Sequence, residues 1–277
     1  QMFSILIGFY HEKMNITVIG ESNIDIAVKP QGELRQGGCT PSDIGFHHGG
    51  VAHNIAHNLR LLGHEVQLAT VFGDDTFAES LIDECHDLGI DLSLSSQYEN
   101  IKSPIFLSFN DEVGNMQSAF SDIELNSFLD LDWLMARIDA INRSDMVVAD
   151  TLLSTEALAF LIDHCVVPLY IDTVSPNRTS VLSEALKKSW KKSFYALKCN
   201  LAEAQALTGL SEAHDAAMKL VDNGMERVYL TLGADGVIFC TRKDISHFPA
   251  IETEAVNVTG AGDAFFARAI HANALGI

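Results

Sequence analysis

Ile16-Thr17-Val18-Ile19-Gly20 is almost continuously apolar and stops abruptly at a glycine. A strand with one wet face alternates apolar and polar residues, whereas a continuous run marks a strand covered on both faces, the habit of parallel sheets flanked by helices. The pattern recurs at Val66 to Gly73, Met146 to Asp150, Pro168 to Asp172, Phe194 to Asn200 and Arg227 to Gly233. Between these runs lie amphipathic stretches of helical length: Asn54 to Leu62, Thr76 to Leu88, Leu131 to Asn142, Thr155 to His164, Thr179 to Ser189, Leu201 to Leu207 and Glu212 to Asn223. The alternation predicts repeated βαβ units, hence an α/β chain with a mostly parallel central sheet. Ligands of such sheets gather beyond the C-terminal strand ends, the expected position of Asp150, Asp172, Asn200 and Gly233.

Two segments break the rhythm. Ile26 to Phe46 is rich in glycine and polar residues, and in Ser103 to Ser118 the run PIFLSF and a turn-forming NDEVGN precede MQSAF. The second predicts a hairpin and the first one or two further strands, together a small sheet standing off the main domain as a lid, at about 26–48 and 100–120.

Composition narrows the function. The 277 residues allow one substantial core with a smaller appendage, and 47% hydrophobic with 20% charged residues is the balance of a globular protein. A net charge of −19 disfavours nucleic acid and anionic membranes as partners. Five dispersed cysteines, Cys39, Cys85, Cys165, Cys199 and Cys240, form no CxxC, so the expectation is buried thiols in a reducing cytoplasm. Residues 1–13 read as an upstream extension, because Phe3 to Tyr10 falls short of the roughly 18 to 20 residues that span a bilayer.

The strongest chemical signal is Asn257-Val258-Thr259-Gly260-Ala261-Gly262-Asp263, followed at once by the helix-compatible AFFARAIHANAL. Small residues let a backbone approach an anion, and the amides of Gly260, Ala261 and Gly262 at a helix N-terminus converge on a phosphate. Asp263 in the first turn is placed to take a proton from a hydroxyl. A Gly-rich turn with an ordinary helix-start Asp is the alternative. Upstream, Gly49-Gly50-Val51-Ala52-His53-Asn54 sets paired glycines before a helix whose Asn54 offers both a donor and an acceptor. A plain helix start reads equally well. Asn23 and Asp25 follow the first strand and read, as isolated residues, as turn formers. Asn200-Leu201-Ala202-Glu203 is at least a capping box. Thr231-Leu232-Gly233-Ala234-Asp235-Gly236 is at least a β-turn. His47, His48, His53 and His57 crowd the paired glycines; no HExxH glutamate or third ligand accompanies them, so loop and helix-surface histidines are expected rather than a zinc site.

In this order, TGAGD opening a late helix and the GG-x-x-x-N segment resemble the two signatures of the ribokinase-like (PfkB) carbohydrate kinases. Asn257 stands where that signature commonly begins with Asp; NVTGAGD and GGVxxNIAxNLxxLG are most similar to the pseudouridine kinase branch. The resemblance spans Gly20 to Asp263. It implies the ribokinase-like three-layer α/β/α fold with a small β lid, ATP and Mg²⁺ as cofactors, and a monovalent cation such as K⁺. It implies a sugar or nucleoside substrate, pseudouridine first, held by Asn23, Asp25, Gly49, Gly50 and Asn54. Asp263 would be the catalytic base, with Gly260, Ala261 and Gly262 stabilising charge. Thr259, Thr231, Gly233, Gly236, Asn200 and Glu203 would serve the nucleotide, Glu203 reaching Mg²⁺ through water. Exposed lid edges suggest a homodimer. The family continues past the point corresponding to Ile277, so a truncated C-terminus is expected. Two other classes stand beside this one: a sugar-binding sensor on the same fold, and a dinucleotide oxidoreductase, for which GESNID replaces the required GxGxxG after the first strand.

Overall fold

The continuous apolar runs supply six strands of an eight-stranded sheet in the computed structural model, which describes residues 13–33, 37–111, 116–252 and 259–277. In chain order the first half comprises β1 (Asn15–Ile19), β2 (Asn23–Pro30), β3 (Ser42–Gly49), α1 (Val51–Leu61), β4 (Glu65–Ala69), β5 (Val71–Phe72), α2 (Thr76–Leu88), β6 (Ser96–Gln97), β7 (Ile105–Asn110) and β8 (Met116–Asp122). There follow α3 (Leu131–Met135), α4 (Ile138–Ile141), β9 (Met146–Asp150), α5 (Thr155–His164), β10 (Leu169–Asp172), α6 (Thr179–Lys188) and β11 (Phe194–Asn200). Last come α7 (Leu201–Thr208), α8 (Ala213–Asp222), β12 (Met225–Thr231), β13 (Val237–Thr241), β14 (Ile245–Phe248) and α9 (Ala261–Ala274).

The sheet runs β14-β13-β12-β11-β10-β9-β1-β4, parallel from β12 to β4 and antiparallel at the β13 and β14 edge. Alternate residues of each central strand enter different cores. Met146 and Val148 pack with Ile55, Leu59, Phe266 and Ile270 of α1 and α9. Val147 and Ala149 pack with Leu158, Leu161, Leu182 and Leu220 of α5, α6 and α8. Both faces are therefore dry, which is why the runs are unbroken. The result is three layers, helix, sheet and helix.

Helix ends follow from local chemistry. Asp75 accepts the Ala78 N–H and Gly89, at φ +70°, closes α2; Ser154 accepts the Ala157 N–H to open α5. Two expectations need correction. Val66 to Gly73 is not one strand: the Thr70 N–H turns to the Ser95 hydroxyl, and β5 pairs with β6 outside the main sheet. Leu131 to Asn142 is two short helices that part at Ala136 and Arg137, where the Arg137 guanidinium reaches Leu94 O and Ser96 Oγ. Four cysteines are buried as expected, but Cys39 is exposed.

A second sheet, β3-β2-β7-β8, stands apart from the first. It pairs β2 with β7 in parallel and is otherwise antiparallel, and β8 is exposed throughout. Among the described residues no helix is long and apolar enough to cross a membrane. Residues 1–12, and Asn257 and Val258 of the glycine-rich motif, lie outside the described residues.

Candidate active site

Parallel register brings a row of polar groups to one edge of the sheet. Asp150 pairs with Asp172, Asp172 with Lys198, and Asn200 with Thr231, across β9, β10, β11 and β12. Asp172 is fully buried and its Oδ2 lies 3.0 Å from Lys198 Nζ. Burial alone would lower the Lys198 pKa, but the charges of Asp172, Asp263 and Glu203 overcome it and raise the value, so the ammonium is permanent. Asp150 accepts the backbone N–H groups of Glu21 and Leu152 at 2.8 Å, and burial pushes its pKa up to about 7. A Cβ on Gly20, whose φ is +148°, would overlap that carboxylate, so glycine is required there.

The N-terminus of α9 opens on Gly260 at φ +76°. Asp263, Phe266, Ala267, Ile270 and His271 follow with helical spacing and form its buried stripe, which seats Asp263 on the core-facing side at 7% exposure. Its Oδ2 accepts a 2.8 Å hydrogen bond from Asn54 Nδ2 in the first turn of α1. Burial, reinforced by Asp172 and opposed by Asn54 and Lys198, pushes its pKa up to about 6. The group is therefore a carboxylate at neutral pH yet basic enough to hold a proton. A Cβ on Gly262 would stand 2.9 Å from Lys198 Nζ, so the missing side chain is the space that the ammonium occupies.

A cavity of about 290 Å³ opens beside this turn, lined by Asn54 of α1 with Thr259 and Gly260 and by Asp25, His47 and Phe106, which pair side by side on the smaller sheet. Asn23 Nδ2 donates to Asp25 Oδ1 at 3.1 Å, and burial raises the Asp25 pKa. A Cβ on Gly49 would lie 2.5 Å from the Asp25 carboxylate, and one on Gly50 2.5 Å from Glu21 O. The paired glycines thus let two strands and α1 meet around one carboxylate. Asp25 lies within β2, not in a turn. Glu21, with its pKa raised by burial, accepts a 2.6 Å bond from Asn126 Nδ2 behind the site.

Asn200 and Glu203 form a full capping box at α7. Glu203 Oε2 also accepts from Thr173 Oγ1 at 2.6 Å and Oε1 from Asn200 Nδ2 at 2.8 Å. With both oxygens engaged in hydrogen bonds, this donor set suits contact with a hydrated Mg²⁺ through water and not direct ligation. Thr231 ends β12; Gly233 at φ +62° and Gly236 at φ +97° shape the following turn, and a Cβ on Gly236 would overlap Phe248 O. This turn borders Asn200 through the strand pairing, away from the cavity at Asp25. Glycine amides, a buried ammonium and oxygen donors in one row fit a nucleotide's phosphates with their metal.

The histidines are not all superficial. His47 and His48 lie on β3, and His53 is 1% exposed. Glu84, from α2, supplies a carboxylate that the local sequence does not show: its Oε2 is 2.7 Å from His48 Nδ1 and 2.9 Å from His53 Nε2, and its Oε1 is 3.7 Å from His57 Nδ1.

Lys198 and Asn126 escaped the motif reading. Lys198 had a signal, a lysine inside the buried run FYALKC, where an unpaired cation is prohibitive. Asn126, in a connecting turn, had none.

Residues 13–276 match the family model described as pfkB family carbohydrate kinase. The chain is similar to the pseudouridine kinase of Escherichia coli strain K12, 34% identical over 265 residues that cover 92% of this chain and 82% of that protein. Its fold is similar to the ribokinase of Thermotoga maritima, with a TM-score of 0.81 at 21% identity over 95% of this chain and 86% of that one. It is also similar to an Arabidopsis thaliana ribokinase complexed with ribose and ATP, with a TM-score of 0.78 at 20% identity over 95% and 87% of the respective chains.

Proposed function

The chain belongs to the pfkB family of carbohydrate and nucleoside kinases, and from that premise we propose that it transfers the γ-phosphoryl group of Mg-ATP to the 5′-hydroxyl of pseudouridine. The observation that carries the reading is the buried Asp263 carboxylate, joined to Asn54 at the mouth of the Asp25 cavity. The named substrate rests on the 34% identity to a pseudouridine kinase; ribose, another nucleoside and a hexose are the alternatives.

Asp25, steadied by Asn23 and seated over Gly49, accepts hydrogen bonds from the acceptor's ring hydroxyls, while Asn54 orients it from the α1 side. Asp263 takes the proton of the attacking hydroxyl. When bound, Mg-ATP supplies the phosphoryl group and the metal's countercharge. The Gly260, Ala261 and Gly262 amides and Lys198 stabilise the negative charge that gathers on the transferring oxygens. Thr259, Thr231, Gly233 and Gly236 border the nucleotide, and Asn200 with Glu203 orders the metal's water shell. K⁺ is included on the family resemblance alone. The β3-β2-β7-β8 sheet acts as a lid that excludes water, and its exposed Phe46, Met116 and Phe120 would lie in a homodimer interface.

An ADP-release assay with pseudouridine, ribose, uridine and a hexose tests the assignment. Pseudouridine is expected to give the highest kcat/KM, and Asp263→Asn to abolish turnover while acceptor binding persists. Near-normal turnover by that variant would sink the role of Asp263. Turnover only with another acceptor would replace pseudouridine, and acceptor binding without turnover by the wild type would favour a sensor. Adding or omitting K⁺ tests the monovalent cation.

A further inference from the structure

The histidine and glutamate cluster beside the acceptor cavity has no part in phosphoryl transfer as described above, yet it is built like a ligand set. His53 and His57 stand four residues apart on one face of α1, and Glu84 faces them from α2. One ligand atom from each of the three lies within 4.8 Å of the others. One carboxylate oxygen lies 2.9 Å from His53 Nε2 and the other 3.7 Å from His57 Nδ1, separations close to the roughly 3.3 Å between ligand atoms of a tetrahedral ion with bonds of about 2.0 to 2.1 Å. Although buried, neither His53 ring nitrogen nor Glu84 Oε2 makes a well-aligned hydrogen bond. Close approach without alignment is what a carboxylate and an imidazole show when they converge on a common point and not on each other.

We propose that His53, His57 and Glu84 bind a borderline divalent transition-metal ion, Zn²⁺ foremost, at a second metal site distinct from that of Mg-ATP. Two imidazoles and one carboxylate suit such an ion and discriminate against Mg²⁺, which takes oxygen ligands. A cavity of about 610 Å³, shared by His48, His53, His57 and Glu84, leaves room for a water or a ligand group in the open fourth position. His48 of β3 reaches the same carboxylate and also touches Ser80 Oγ at 2.8 Å. The ion therefore fastens α1 to α2 at the point where the smaller sheet rests on them.

Calorimetric titration of the chelator-treated full chain with Zn²⁺, without ATP or acceptor, tests the site independently of the kinase assignment. One ion per chain with micromolar or tighter affinity is expected, undisplaced by millimolar Mg²⁺. Co²⁺ in its place should give the visible absorption of a four-coordinate site. His57→Ala and Glu84→Gln should each weaken binding at least about tenfold and abolish the Co²⁺ spectrum. His57 is half-buried on a helix face, so His57→Ala preserves the fold; metal-free circular dichroism checks both variants. Absence of saturable Zn²⁺ binding, displacement by Mg²⁺, or wild-type affinity in either folded variant overturns the proposal.

Discussion

Replacing Asn54 by Ala tests whether this residue tunes the base proposed above or serves only to hold the acceptor. The Asn54 amide donates to Asp263 Oδ2 at 2.8 Å and lowers a pKa that burial has raised to about 6. A hydrogen bond to a charged group contributes about 1.5 to 3 kcal/mol. Asn54 is half-buried, so the lower figure applies, and at 1.36 kcal/mol per pKa unit its loss moves Asp263 to about 7. The sign is fixed, because removing a donor to a carboxylate favours the protonated form. At pH 8 both enzymes keep their base ionised. At pH 6 the wild type is half ionised and the variant about one tenth, so the ratio of wild-type to variant activity grows about fivefold between pH 8 and pH 6. The assay is kcat/KM for the acceptor by ADP release across pH 5 to 9 with saturating Mg-ATP. A uniform loss at every pH would mean that Asn54 only binds substrate, and an acid limb that stays put or moves to lower pH would refute the reasoning.

Other expectations follow from the same geometry. A folded-state pKa of about 6 against an ordinary 3.8 means that Asp263 contributes stability below pH 4 that is lost as pH rises through 6. Asp263→Asn should therefore raise stability at pH 7.5 by about 3 kcal/mol, on the order of 6 to 12 °C in Tm, with the gain vanishing near pH 4, as scanning calorimetry would record. Lys198→Met leaves the buried Asp172 without its countercharge and should cost about 3 to 5 kcal/mol. Adding Asp172→Asn should recover most of that stability in denaturant titrations but not turnover. Gly49→Ala, whose new methyl would stand 2.5 Å from the Asp25 carboxylate, should raise acceptor KM at least about tenfold with a smaller change in the KM for ATP.

The parallel strands β1, β4 and β9 to β12 were legible because continuous apolar runs mark strands covered on both faces, whereas β13 and β14 at the antiparallel edge are less buried and gave no such run. Helices α2 and α5 were legible to the residue because Asp75 and Ser154 announce their starts. What the chain does not announce is tertiary. The helical pattern parts at Arg137, whose guanidinium reaches Leu94 and Ser96, and Thr70 leaves its strand for Ser95. At the site, motif glycines and Asp263 could be read because small residues before a helix have few other uses. Lys198 and Glu84 could not be assigned partners, since Asp172 and the histidines lie 26 or more residues away and meet them only through sheet register and helix packing.

The Asn54 to Asp263 hydrogen bond closes a loop of 209 residues. Closing so long a loop costs entropy that no local element repays, so the bond forms only once the intervening strands have assembled. Catalytic competence thus has a different folding history from helix content. During refolding, far-UV ellipticity can return with segments such as α2 and α5 while the Asp263 carboxylate still lacks its partner. Regain of turnover would then report the slowest long-range step, making this enzyme's own activity a clock for completion of its topology.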